Sequence, residues 1–267
     1  EQPDYLAVAF DLHAPTFRHG LYEAYKGTRK PMPDDLRPQV PLLKEVLSVM
    51  KIDILEKAGL EADDIIGTVA KNVSMPTVII TGDRDSFQLV DGSSSVYFTK
   101  KGISDLDVLT EENFKEKTGI EPWQVVELKA LMGDASDNIP GVAGVGEKTA
   151  KTLLEKYGTA AAVYEHIDEI TGRLKEKLLA GEENCRLSKT LATIETHADF
   201  AYDLDAMRLV MPFPAALRNK FVELEFRLLS KRDDLFAESG AEPQTAEGPE
   251  TKNVKNKAEL AAALSAE

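Results

Sequence analysis

Glu61-Ala-Asp-Asp-Ile-Ile, Thr81-Gly-Asp-Arg-Asp and Gly133-Asp-Ala-Ser-Asp-Asn crowd seven carboxylates into three short motifs, each beside an apolar run or a helical pattern. Like charges at this density repel, so a fold that gathers them must also supply cations, and hard oxygen donors select magnesium or manganese. The third motif runs into Gly141-Val-Ala-Gly-Val-Gly-Glu-Lys-Thr-Ala, a glycine-rich turn entering a helix with Lys148 in its first turn. Such a turn suits a backbone phosphate. A metal site beside a phosphate clamp points to metal-assisted cleavage of a phosphodiester.

The apolar pattern predicts an α/β fold. Tyr5 to Phe10, Ile52 to Leu55 and Thr77 to Ile80 are short apolar runs separated by helical patterns at Arg37 to Met50 and Ala62 to Lys71, an order that implies a parallel sheet covered by helices. Val96 to Thr99 and Leu106 to Leu109, joined through Lys101-Gly102, predict a late hairpin or paired edge strands. From Thr110 onward helices dominate: Pro122 to Met132, with Trp123, Val125, Val126 and Leu128 as core, then Glu147 to Tyr157, then others through to Arg227. Ala237 to Lys252, with Gly240, Pro243, Gly248 and Pro249, predicts a linker, followed by the start of a further domain or a tail. The expected organisation is an α/β core over residues 1–129, a helical subdomain over 130–236 and a linker with tail over 237–267.

Several classes of chemistry are excluded. The single Cys185 allows no internal disulfide and no zinc-thiolate cluster, and His13, His19, His166 and His197 are too scattered for a metal site. No apolar run approaches membrane-spanning length and no secretory signal opens the chain, so the expected location is cytoplasmic. A net charge of −14 argues against a nucleic-acid partner, but it is unevenly spread. Between Phe17 and Lys44 six basic residues face three acidic ones, and much of the remaining acid lies in motifs whose charge metal ions would cancel.

Asp11 follows Val8-Ala9-Phe10, and Asp83 and Asp85 follow Val78-Ile79-Ile80, placing all three at the carboxyl ends of parallel strands, where ligands bind. Glu61 and Asp64, three apart, share a helix face, while Ala62, Ile65, Ile66 and Val69 form the buried stripe. Each motif alone has a plain structural reading. Asp after a strand starts a turn, acids in a first helical turn gain roughly 0.3 to 1 kcal/mol from the helix dipole, and Asp134 with Asp137 describes a capped turn. Together they exceed what capping needs. A nucleotide-binding P-loop fails because Glu147 stands where that motif needs lysine, and Asp91 in Leu89-Val-Asp-Gly-Ser-Ser-Ser reads as a loop residue.

Over Leu6 to Phe236 the sequence resembles the structure-specific 5' nucleases, and most closely the 5'-3' exonuclease domain of bacterial DNA polymerase I. The segment from Phe17-Arg-His-Gly-Leu-Tyr-Glu-Ala-Tyr-Lys to Asp34-Asp-Leu-Arg is similar to that family's helical arch (about residues 12–45), and Leu131-Met-Gly-Asp-Ala-Ser-Asp-Asn-Ile-Pro-Gly-Val to its most recognisable block. The resemblance implies a parallel-sheet (PIN/Rossmann-like) nuclease core, a helix-hairpin-helix subdomain, and hydrolysis assisted by two Mg2+ or Mn2+ ions. It further implies that Asp11, Glu61 and Asp63 hold one ion and Asp83, Asp85 and Asp137 the other, with Asp64 and Asp134 orienting ligands and waters. Arg18, Tyr22, Tyr25, Lys26 and Arg29 would meet the single-stranded 5' end. Gly144, Gly146, Lys148 and Thr149 would grip duplex backbone, with K+ bound at that turn. The implied partner is DNA with a 5' flap, nick or frayed end, acted on by a monomer in replication and repair, with a covalently linked polymerase domain as one expectation. The family also opens on a strand with an Asp-Gly-x-Ser motif whose aspartate binds metal. This chain opens on Glu1, after the place where that motif would stand, so a DNA-binding fragment with impaired catalysis is one alternative and an RNA-directed nuclease of similar fold another.

Overall fold

The computed structural model describes residues 3–100 and 105–237. Strand β1 (Ala7–Ala9) reaches β2 (Asp53–Leu55) through helices α1 (Phe17–Leu21) and α2 (Gln39–Val49), and the two strands pair in parallel with Val8 opposite Ile54. After β2 come α3 (Ala62–Asn72) and a second sheet, in which β3 (Thr77–Thr81) pairs in parallel with β4 (Ser94–Thr99) and β4 in antiparallel with β5 (Leu106–Leu109). The parallel α/β character is present, but the described strands divide into a pair and a triplet instead of one sheet. The run from Tyr5 yields only three strand residues because its start is held elsewhere: Tyr5 bridges Arg208 and the Leu6 N–H donates to the Met207 carbonyl at 2.7 Å. The β4–β5 pair matches the expected hairpin, while its connection at Lys101-Gly102 lies outside the described residues. That β4 also joins β3 was not legible, because parallel register is set by tertiary packing and not by a turn.

Helix α3 carries the acid motif on a rigid base. Its first turn is closed by Glu61 at the N-cap, whose backbone N–H donates to Asp64 Oδ2 at 3.0 Å. Ile65 is fully buried with Leu55 and Met207, and burial of such a side chain contributes roughly 1.5 to 3 kcal/mol. On the next turn Gly67 lets the segment after α9 approach, since a Cβ there would stand 2.6 Å from Ile194 Cγ2. Beneath β3–β5, Ile79, Leu89, Val96, Leu109, Phe114 and Val125 form a second core. This joins the sheet to α4 (Glu111–Thr118) and α5 (Gln124–Met132).

The remaining helices are α6 (Glu147–Tyr157), α7 (Ala160–Glu165), α8 (Gly172–Ala180), α9 (Glu182–Ala192) and α10 (Ala216–Glu223). Helices α5 to α9 share a core that includes Leu131, Val142, Leu154, Val163 and Leu178. Trp123 is not part of it. The helix begins one residue later, Trp123 stands outside at 52% exposure, and Gln124 turns inward to donate to the Gly158 carbonyl at 2.9 Å. The segment similar to a helical arch is helical only at its ends in α1 and α2, with turns between, where Gly27, Pro31, Pro33 and Pro38 interrupt the ladder. Ala237 is the last described residue, so the predicted linker and tail lie outside the described residues.

Asp91 is a loop residue, as its sequence setting predicts. Its Oδ1 accepts from the Ser93 and Ser94 N–H groups, both at 2.8 Å, and Oδ2 pairs with Lys71. Burial alone would raise its pKa, but the Lys71 ammonium and the Ser93 and Ser94 donors outweigh that and hold it at about 2. A depressed carboxylate pKa stabilises the fold above the ordinary value near 4, and the contribution disappears as pH falls through 2. Asp91→Asn is therefore expected to cost on the order of 0.5 to 1 kcal/mol at pH 7 and clearly less at pH 2, where the carboxylate is already about half protonated, measured by urea unfolding at both pH values.

Candidate active site

The four acid-bearing segments meet at one end of the two sheets. Asp11 leaves β1 and its Oδ1 accepts from the Ala62 N–H at the start of α3, at 2.8 Å. Asp63, in the first turn of α3, accepts from Ser86 Oγ at 3.2 Å across the turn that follows β3. Burial foremost, with the charge on Asp83 and then Asp11, lifts its pKa to about 6 against the Ser86 hydrogen bond, so these three carboxylates share one electrostatic neighbourhood. Asp83 caps the same turn, its Oδ1 accepting from the Asp85 N–H at 3.0 Å.

Asp85 and Asp134 come together around Lys129 of α5, whose Nζ contacts Asp85 and lies 2.6 Å from Asp134 Oδ2. Burial disfavours the charge on Lys129, but the two carboxylates more than offset it and its pKa is raised. On the other flank, Tyr25 Oη lies 3.1 Å from Glu61 Oε2 and 3.3 Å from Asp137 Oδ2, with one proton to give to either. Burial, then Glu61 and Asp137, drive the phenol pKa upward and keep it protonated. Lys26 Nζ stands 2.9 Å from Glu61, and Arg29 donates to Asp137 Oδ1 through Nε at 3.1 Å.

Asp64 is different in kind. It is fully buried and accepts two 2.7 Å hydrogen bonds from Arg18, plus N–H groups of Glu61 and Glu195 at 3.0 and 2.9 Å. Arg18 also donates to the Leu191 and Thr193 carbonyls at 2.9 and 2.7 Å, so the pair ties α1, α3 and the end of α9 together.

This corrects part of the arch expectation. Arg18 and Tyr25 are 2% and 3% exposed and face inward, and Tyr22 packs half-buried beside Tyr25. Lys26 and Arg29 border a cleft of about 440 Å³ that Asp11, His13, His19 and Glu61 also line. Sequence reading missed Lys129 and Ser86. The available signal was a lysine among the apolar residues Leu128, Ala130, Leu131 and Met132, five residues before Asp134.

The third acid motif and the glycine turn are locked backbone to backbone. A Cβ on Gly141, at φ +59°, would stand 2.2 Å from the Gly133 backbone nitrogen, and the Gly141 N–H donates to Ser188 Oγ at 2.8 Å. Beyond it the turn exposes Gly144, Gly146 and Lys148, with Thr149 half-buried, and α6 starts with its N–H groups there. The Gly144 carbonyl already accepts from Lys177 Nζ at 3.0 Å. A potassium ion on that oxygen would stand against an ammonium, so the expected K+ does not fit beside it.

Among the described residues no three His, Cys, Asp or Glu side chains stand as a metal-binding group. The carboxylates are turned onto cations instead. The site nonetheless suits divalent ions by donor and charge. Its acids offer hard oxygen donors, and eight carboxylates (Asp11, Glu61, Asp63, Asp64, Asp83, Asp85, Asp134 and Asp137) face the four cations Arg18, Lys26, Arg29 and Lys129, leaving a formal excess of four negative charges.

Residues 1–119 match the model of the 5'-3' exonuclease N-terminal, resolvase-like domain, and residues 120–214 that of the 5'-3' exonuclease C-terminal SAM fold. The chain belongs to the 5'-3' exonuclease family. Among curated relatives, DNA polymerase I of Caldicellulosiruptor bescii is 45% identical over 237 residues, covering 87% of this chain and 28% of that protein. DNA polymerase I of Bacillus subtilis is 40% identical over 259 residues, covering 96% and 29%. This exonuclease-family chain thus spans little more than a quarter of those relatives' length. In fold it is similar to T5 5'-exonuclease with bound zinc, at a TM-score of 0.59 and 23% identity over 71% of this chain and 73% of that one. It is equally similar, at 0.59 and 20% identity over 86% and 79%, to the T5 D15 flap endonuclease in a complex with DNA and metal ions. Among the described residues no helix is long and apolar enough to cross a membrane.

Proposed function

We propose that this chain hydrolyses DNA phosphodiesters at 5' ends, as an exonuclease and 5'-flap endonuclease that depends on two Mg2+ or Mn2+ ions. The observation that carries the reading is the convergence of carboxylates from four separate segments, beside Lys26 and Arg29 at the mouth of one cleft. Asp11, Glu61 and Asp63 would hold one ion, and Asp83, Asp85 and Asp137 the other. Bound there, the ions supply Lewis-acid charge and an activated water, so no side-chain nucleophile is required. Lys26 and Arg29 draw the phosphate in, Asp64 and Arg18 fix the start of α3, and Lys129 sets the distance between Asp85 and Asp134. The glycine turn, with Lys148 in the first turn of α6, suits the duplex backbone beyond the flap. Residues 1–129 act as nuclease core and 130–236 as the duplex-binding subdomain. The polymerase relatives support a role beside a polymerase, in primer removal and nick translation during replication and repair.

The ion pairs Lys26–Glu61, Arg29–Asp137 and Lys129–Asp85 support a second reading, a DNA-binding module that does not cut. One assay separates the two. A labelled 5'-flap duplex is expected to be cut near the junction in Mg2+, not in EDTA, with restoration by Mn2+, while a matched RNA flap is cut more slowly. Tight flap binding with no cleavage at any Mg2+ or Mn2+ concentration would favour the binding module.

A further inference from the structure

Lys177, on the exposed side of α8, lies across the tip of the glycine turn. Its Nζ donates to the Gly144 carbonyl at 3.0 Å, and a Cβ on Gly144, which sits at φ +75°, would stand 2.7 Å from that nitrogen. The placement is built into the packing. One turn along, Gly181 allows α8 and α9 to close on the hairpin, since a Cβ there would stand 2.9 Å from Val142 Cγ1, and Val142, Val145 and Leu178 share one core. Two neighbouring lysines are neutralised, Lys151 by Glu147 and Lys175 by Asp168, whereas Lys177 enters no ion pair among the described residues.

We propose that Lys177 supplies, within the chain, the positive charge at the hairpin turn that an exchangeable potassium ion would otherwise provide, its ammonium bridging the Gly144 carbonyl and a phosphate of duplex DNA. The proposal rests on the DNA-cleaving reading given above. An ammonium and K+ carry the same charge, and carbonyl oxygens bind both. The ammonium has three protons, of which Gly144 takes one, leaving two for a phosphate that also faces Lys148 and the first N–H groups of α6.

The test is fluorescence anisotropy of the whole chain with a 5'-flap duplex in EDTA, in KCl and in tetramethylammonium chloride at equal ionic strength. Wild-type affinity is expected to change by less than about twofold between the salts. Lys177→Met is expected to bind about threefold to tenfold more weakly in tetramethylammonium, with the slope of log affinity against log salt shallower by about 0.9. KCl should restore part of that loss, because the freed carbonyl accepts K+, and Lys177→Arg should bind like wild type. A tenfold or greater loss of wild-type binding in tetramethylammonium would overturn the proposal, as would a Lys177→Met protein with unchanged affinity and slope. If Lys177→Met does not fold, the wild-type salt exchange and Lys177→Arg still decide between these outcomes. Failure of wild type to bind the flap in either salt would instead refute the DNA reading, and this proposal with it.

Discussion

Asp83→Asn is expected to lower the rate of flap cleavage in Mg2+ by about a thousandfold or more while leaving flap binding within about threefold of wild type. Asp83 is the acid best suited to this test because it carries no structural weight. It is exposed and forms no described ion pair, and its accepted hydrogen bond from the Asp85 N–H can be kept by the asparagine oxygen. The substitution removes one negative charge from the group of Asp11, Asp63 and Asp83, which is what a bound divalent ion would feel. Thermal unfolding should shift little, as for most surface replacements. Single-turnover cleavage and anisotropy on the same flap give both halves of the result, and a variant that still cuts at the wild-type rate would remove Asp83 from the chemistry.

Arg18→Ala should act on stability instead. The guanidinium is the counter-charge of a carboxylate with no exposure, so removing it strands Asp64, and breaking a buried pair from one side costs about 3 to 5 kcal/mol. The carbonyls of Leu191 and Thr193 lose their donor at the same time. Replacing both partners together, Arg18→Met with Asp64→Leu, is expected to recover much of the loss, because neither charge is then buried alone. Urea unfolding of the single and double variants measures the coupling. If Arg18 contacted the substrate, the single variant would instead unfold like wild type and lose only affinity for the flap.

The contrast between these two residues shows what was legible. Asp83 and Asp85 were identifiable from their position after an apolar strand, and Glu61, Asp63 and Asp64 from their place at a helix start, since strand ends and helix caps are local. Helix α6 was predicted with its observed bounds because glycine before it and the apolar spacing within it are local too. Arg18 and Tyr25 were placed at the substrate by the resemblance of their segment to a helical arch, and residue type could not correct this, since an arginine or a tyrosine there looks alike whether it faces water or a buried carboxylate. Their partners lie 46 and 36 residues away, at Asp64 and Glu61. Lys129 was overlooked for the same reason: its nearer partner, Asp134, is local, but the charge of Asp85 reaches it only through the fold.

By itself, the sequence determined the chemistry available: oxygen donors in excess of their counter-charges, a glycine turn before a helix, and the alternation of strands and helices, all of which follow from residue type and short-range spacing. The tertiary structure alone decided which carboxylates share a neighbourhood, which cations neutralise them, how the strands divide into two sheets and that Lys177 occupies the Gly144 carbonyl. Those outcomes depend on distances between segments far apart in the chain, where Coulomb energy and desolvation fall steeply with separation and burial, and short-range pattern carries no record of either.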